Sequence, residues 1–576
     1  IHQPSSDIFK LFDKLWILDR GGYPIFNGNP IDSIVYFKTM NTQVNAAESE
    51  CRTCGNVITE QLLHIIESKE INKKGETTQK RKTSPKTWYE KYRENILPQL
   101  KPIKWQTQLP PSNFQIPKKL EQLSLFLRRT LLSKQSNKQY LILNLLEPPL
   151  LALILGYLSK YSVGSEYLFS ENKNLGVYLF MSVVVALFMG LSVSAEEIFK
   201  DQKILIRESF LNLSRFSYIN SKIIYLFCLT GIQMFIFVLV GNHILEIEGL
   251  TFSYWLILFS AGCFANIIGL NISSGLNSIV TIYILIPLIL VPQLLLGGAM
   301  IRFDELHTKI RNEHHVPLIG NVMVSRWAYE ALAVEQYKKN HYERLFFDYD
   351  REISSTSYKA YYLIPRLKRE TNNALEYIKS KDTVAATYTF KLLIHEIHRL
   401  NAQSEKSLFS SMDRLNPLDF DSTAFQNTMS FLESQKEHYR NKLQLANEAR
   451  ESKYKEVISS IGKDELYTLK QNNHNKAIAN LALNRDVIEK IHLHNSRLIQ
   501  KKDPIYMTPT SKWGNAQFYA PSKYIGTFEI DTFWFNILVI WILSSLFYLT
   551  LLFDVLKRLL NSTISIMPWM RKVSHT

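Results

Sequence analysis

Apolar residues in this chain gather into six long runs, at about 141–159, 175–195, 223–245, 252–272, 279–300 and 532–555. Each is close to the ~20 residues an α-helix needs to cross a bilayer. A long polar stretch, 302–530, separates the fifth run from the sixth. Within it Phe425, Met429, Leu432, Tyr439, Leu443 and Ala446 follow a 4-3 spacing broken at Lys436, which predicts a helical hairpin or short coiled coil. Ahead of the first run, Leu120, Leu123, Leu127 and Leu131 form a narrow stripe beside Arg128, Arg129 and Lys134. That stripe predicts an amphipathic helix over 118–139, lying in the membrane interface or against neighbouring cytoplasmic elements. The pattern as a whole predicts a mainly α fold: a six-helix transmembrane bundle with a large helical insert between spans 5 and 6.

Charge orients the bundle. The formal net charge is +15, and residues 71–140 alone hold 16 Lys/Arg against 4 Asp/Glu. A basic segment abutting a span marks the cytoplasmic side and touches anionic lipid. Nucleic acid is the other partner such a patch could suit, but the adjoining span favours lipid, and no nucleic-acid partner is expected. Lys200, Lys203, Arg207, Arg215 and Lys222 follow the second run, whereas Asn242 to Leu250 contains no Lys or Arg. Lys557, Arg558, Arg571 and Lys572 follow the last. Both ends are therefore expected in the cytoplasm of a multi-pass protein of the cell (inner) membrane, and the 302–530 insert is expected outside.

Polar residues inside the runs are few. Glu147, within Leu145-Leu146-Glu147-Pro148-Pro149, is either a functional group facing a cavity or an interfacial carboxylate reaching headgroup water. Gln233, Asn266, Asn271 and Gln293 suit hydrogen bonds across helices. Pro287 and Pro292, followed by Gly297-Gly298, predict a bend in the fifth span. Of four cysteines, Cys228 and Cys263 lie in apolar runs, while Cys51 and Cys54 have the spacing of half a zinc site. No second CxxC exists, so zinc there would need His64 or another chain; a reduced pair in a linker is the simpler reading.

Ile1-His2-Gln3-Pro4-Ser5-Ser6-Asp7-Ile8-Phe9 and Leu11 to Leu15, then Asp19-Arg20-Gly21-Gly22, Tyr23 to Phe26, Asn27-Gly28-Asn29-Pro30 and Ile31 to Phe37, resemble the switch-histidine segment of an ABC-transporter ATPase. The resemblance is to the G subfamily, the White-type half-transporters, whose ATPase precedes the membrane domain. It implies an α/β remnant of the ATP-binding domain over 1–50, a basic cytoplasmic linker with the CxxC over 51–117, a connecting helix over 118–139 and spans 1–5 over 140–301. The polarity pattern, not the resemblance, adds an extracytoplasmic helical domain over 302–530, followed by span 6 with a cytoplasmic tail over 531–576. His2 would contact the ATP γ-phosphate and take part in catalysis, with ATP and Mg²⁺ as cofactors. The sequence has no GxxxxGK[ST] loop, so these 576 residues are not expected to hydrolyse ATP alone; the full-length protein would be an ATP-hydrolysing translocase.

The resemblance extends to the segment from Ser194 to Ser214, where Glu196, Glu197, Lys200, Asp201, Arg207 and Glu208 would present ion pairs to the ATPase, and to Ser325 to Leu332, which follows the family's re-entrant external turn. It implies a dimer, either a homodimer or a pair of half-transporters, and usually export. The insert has no counterpart in familiar members, so no substrate is implied. A mechanical device, in which ATP drives the external helices against an envelope partner without transport, is the alternative.

Overall fold

The computed structural model describes residues 6–48, 59–71, 77–101, 116–162, 166–211, 213–403 and 409–566. The chain divides into two units, Ile1–Phe114 and Gln115–Thr576.

In the first unit a short helix α1 (Ser6–Lys10) precedes an antiparallel hairpin, β1 (Leu15–Asp19) and β2 (Tyr23–Gly28). Gly21 and Gly22, at φ +88° and +78°, make its turn. Asn29 accepts from the Ile31 N–H at 2.9 Å and Pro30 opens α2 (Pro30–Met40). This is the strand, tight turn, strand and helix read from the sequence. The segment read as a linker also contributes ordered elements: α3 (Thr59–Ile66), the hairpin β3 (Lys69–Ile71) and β4 (Thr77–Arg81), and α4 (Pro85–Asn95). Leu62, Ile65, Ile66 and Trp88 join Phe9, Ile25, Phe26, Ile34 and Phe37 in one core, and Arg81 bonds Asp19 at 2.8 Å.

The second unit begins with α5 (Lys119–Ser136), then α6 (Lys138–Ser159), α7 (Leu175–Ser194), α8 (Glu197–Glu208), α9 (Arg215–Leu245), α10 (Thr251–Gly275) and α11 (Ile279–Leu295). Among the described residues five helices are long and apolar enough to cross a membrane: α6, α7 running on into α8, α9, α10 and, near the end, α20 (Thr532–Leu552). The expected fifth span, 279–300, is shorter. α11 has 17 residues, about 26 Å of helix, because Pro287 and Pro292 remove two ladder donors and the chain turns at Gly298, φ +82°.

α10 is the centre of the bundle: 83% of its apolar window is buried, against 17% for α6. α7 packs on α10 through small residues. A Cβ at Gly190 would stand 2.5 Å from the Gly262 carbonyl oxygen, so the backbones meet where no side chain intervenes. Pro148 in α6 frees the Asn144 carbonyl, and Gln233 on α9 donates to it at 3.0 Å. Asn266 bonds Thr230, Asn271 bonds the Phe547 carbonyl, and Gln293 accepts from the Ser325 N–H, so all four of these amides link separate segments.

The region between α11 and α20 holds α12 (Leu318–Asn321), the buried α13 (Val324–Lys338), α14 (Phe347–Tyr358), a π-helical turn (Lys359–Leu363), α15 (Ile364–Lys379), α16 (Thr383–Gln403), the 40-residue α17 (Ser422–Ile461), α18 (Lys463–Asn473) and α19 (Lys476–Leu483). α15, α16 and α17 share a core of their own around Leu367, Phe390, Leu393, Phe431 and Leu432. The insert is not wholly helical. It carries the hairpins β5 (Ile491–His494) with β6 (Arg497–Gln500) and β7 (Ser522–Ile525) with β8 (Phe528–Asp531). α21 (Val555–Ile566) follows α20.

Candidate functional site

α8 has no side-chain cap of its own. Ser273 Oγ on α10 accepts instead from the Ile198 and Phe199 N–H groups, both at 3.0 Å, and so fixes where α8 starts. In the first turn, Glu197 contacts Lys134 of α5 through one oxygen and accepts from Lys222 Nζ of α9 through the other, at 3.2 Å. Lys222 Nζ lies 2.8 Å from Asp201, which also accepts the Tyr218 hydroxyl at 2.9 Å. Two carboxylates and two ammonium groups from three helices thus close a neutral cluster. At the far end of α8, Arg129 Nη1 donates to both oxygens of Glu208, at 2.8 and 3.0 Å. Glu196 pairs with Lys200 and accepts from the Tyr283 hydroxyl of α11.

This arrangement differs from the expected outward display of ion pairs. Glu197, Asp201 and Glu208 turn inward, because α5 presents Arg129 and Lys134 to the acidic face of α8. The basic residues of α5, read only as flanks of a leucine stripe, were the signal for this. α8 and the turn after it leave Lys200, Lys203, Ile204, Ile206, Arg207, Ser209 and Phe210 exposed, with Ile206 and Phe210 at 73% and 77%.

Glu147 is half-buried on α6, with no ion pair or hydrogen bond to any described residue. His2, Cys51 and Cys54 lie outside the described residues. Among the described residues no group of three or more His, Cys, Asp or Glu has the geometry to hold a metal ion.

A second buried charge cluster was not read from the sequence. Arg326 and Glu330 stand one turn apart on α13, with Nη1 to Oε2 at 3.3 Å. Lys523 on β7 reaches the same Glu330 oxygen at 2.5 Å and the Asn536 side-chain oxygen of α20 at 2.7 Å. Asn536 in turn donates to Glu330 at 2.8 Å. The Arg326 guanidinium lies 3.7 Å from the Trp327 ring. Arg326, Glu330, Lys523 and Asn536 are all at most 1% exposed. Burial pushes the Lys523 ammonium down to about 7; Glu330 opposes the shift and Arg326 adds to it. Arg326 and Glu330 could be paired from their spacing, but Lys523 is 193 residues from Glu330 along the chain.

The arrangement ties a set of apolar, membrane-length helices to a charged helix pair at one end and to a buried ion cluster at α13. None of the curated proteins matches the chain. Residues 121–333, from α5 into α13, match the family model described as ABC-2 type transporter. Over that segment the chain therefore contains an ABC-2 type transporter membrane domain.

Proposed function

We propose that the chain is the membrane-spanning part of an ATP-driven half-transporter of the G type, an exporter that works as a dimer. The observation that carries this reading is the α5–α8–α9 charge cluster inside the matched segment. A helix held on two sides by buried ion pairs moves as one body with its neighbours, as transmission of force from an ATPase requires. Ile206, Arg207 and Phe210 are then the face offered to that ATPase. α11 would count as a sixth, short span, and both ends would lie in the cytoplasm of the inner membrane. His2 would contact ATP; the phosphate-cradling loop and Mg²⁺ ligands would come from sequence beyond these 576 residues. Zinc at Cys51 and Cys54 would need further ligands.

The mechanical alternative draws support from the Arg326–Glu330–Lys523 cluster, which locks α13, β7 and α20 together. Such a lock suits force passed to an external partner. Reconstitution of the full-length protein in proteoliposomes separates the two. ATP-dependent flux of a substrate, lost in His2→Ala while nucleotide still binds, supports the transporter. ATP hydrolysis without flux for any candidate substrate would shift the reading to the mechanical device.

A further inference from the structure

A cavity of about 980 Å³ opens where the first turns of α7 meet the insert. That volume lies at the top of the ~300–1,000 Å³ range of small-molecule sites. Its walls differ. Phe180 and Met181 of α7, with Met300, Phe303 and Phe518, give it an apolar side continuous with the end of a span. The insert supplies a charged side.

Six Lys/Arg and four Asp/Glu line the cavity. Three of the acids are already engaged: Asp304 with Arg302, Glu313 with Lys501, and Glu396 with Arg399, each at 3.1 Å. That leaves Lys173, Lys359 and Arg497 facing one acid, Asp486, and none of these four has an ion-pair partner among the described residues. Lys173 rests over the Tyr161 ring and Lys359 over the Tyr439 ring of α17. Lys359 opens the π-helical turn between α14 and α15, a backbone departure that in helices often marks a functional position. The buried Tyr358 hydroxyl beside it, on the same lining, has no hydrogen-bond partner among the described residues.

We propose that this cavity binds an anionic amphiphile, its apolar body against Phe180, Met181, Phe303 and Phe518 and its acidic group on the side of Lys359 and Arg497. Lys359 is half-buried over the Tyr439 ring and Arg497 is exposed, and a bound carboxylate or phosphate monoester supplies the counter-charge that this lining lacks. Burial, with Lys442 and Arg399 nearby and only Glu352 opposing, holds the Lys359 ammonium down to about 8, and a bound anion would raise it. The binding needs neither ATP nor transport, so it stands apart from the function proposed above.

The test uses the whole chain in phosphatidylcholine nanodiscs without nucleotide. The probe is 11-(dansylamino)undecanoic acid, with its uncharged methyl ester as control and partition into empty nanodiscs subtracted. Saturable binding of the acid is expected, with the ester at least tenfold weaker. The double variant Lys359→Gln/Arg497→Gln should weaken the acid at least tenfold. Asp486→Asn, at an exposed position, should tighten it, a gain that misfolding cannot imitate. Equal binding of acid and ester, or no response to the double variant, overturns the proposal. Displacement of the probe by inorganic phosphate at comparable concentration also overturns it, because the site would then take a free anion and not an amphiphile.

Discussion

Glu197 of α8 and Lys222 of α9 meet at 3.2 Å with side chains only 4% and 6% exposed. Neither depends on the other alone, since Lys134 also holds Glu197 and Asp201 also holds Lys222. Removing Glu197 therefore leaves the buried Lys222 and the half-buried Lys134 and Asp201 out of balance. Glu197→Gln is expected to destabilise the protein by about 3–5 kcal/mol, the usual cost of breaking a buried pair from one side. The double variant Glu197→Gln/Lys222→Met, which restores balance between Lys134 and Asp201, should lose less than the sum of the single variants. Melting of the four proteins in one detergent checks this. Strict additivity would show that the two side chains do not interact.

The cluster at α13 titrates in the opposite sense to most buried pairs. Lys523 has a folded value near 7, below its ordinary 10.5. Between those values the unfolded chain holds a proton that the folded one has released, so stability should rise with pH from 7 towards 10.5. Below 7 the ammonium is charged in both states and its full burial cost is felt. Lys523→Met leaves Arg326 and Glu330 as a balanced pair and should flatten this rise, measured as melting temperature from pH 7 to 9.5. Glu330→Gln, which strands two cations, should be far less stable at pH 7. An unchanged pH slope in Lys523→Met would remove Lys523 as its source.

Close backbone approach at the bundle centre makes a third expectation. A Cβ at Gly190 would sit 2.5 Å from the Gly262 carbonyl oxygen and 2.7 Å from the Ala265 Cβ. Both are fixed parts of α10 and cannot swing aside as a side-chain end would. Gly190→Val should separate α7 from α10 and abolish stable folding, whereas Gly231→Ala, whose Cβ would find only Phe259 ring atoms at 3.6 Å or beyond, should be accepted. Size-exclusion profiles of the two variants, extracted side by side, decide it.

The spans were legible because about 20 apolar residues in a row leave few other fates. The faces of the helices were harder to read. On α5 the leucine stripe suggested the packed side, yet Leu120 is 79% exposed, and the residues buried there are Gln122, Phe126 and Thr130. Gln122 accepts from the Ser214 N–H at 2.7 Å, and Ser217 donates to the Lys119 carbonyl at 2.8 Å. Where the surroundings are lipid, apolar residues gain nothing by turning inward, and polar and small groups make the helix contacts. On α17 the break in spacing at Lys436 is only a change of phase: Gln435 is buried in its place, between Leu432 and Tyr439. The β5–β6 hairpin escaped notice because its turn is Asn495-Ser496, both at positive φ, and lacks the glycine that usually announces one. The ion partners were the least legible. Lys134 of α5 and Glu197 of α8 are 63 residues apart along the chain, and only tertiary packing brings them together.

The last expectation concerns which side of the membrane each unit occupies. Ser84 caps α4 in the first unit and is exposed, and Ser452 is exposed on α17 in the insert. An odd number of spans between them puts them on opposite sides, and an even number on the same side. Five spans would separate them if α11 crosses the bilayer, four if it does not, so these two positions report on α11 directly. With α11 crossing, Ser452→Cys should react with a membrane-impermeant maleimide in intact cells or in cells with a permeabilised outer membrane. Ser84→Cys should react only after the inner membrane is opened. The comparison is made in a background where Cys51, Cys54, Cys228 and Cys263 are serine or alanine, so that only the introduced thiol is read. Protection of both positions until lysis would make α11 a re-entrant helix. The insert would then lie in the cytoplasm, and the outward-facing reading of that region would fall with it.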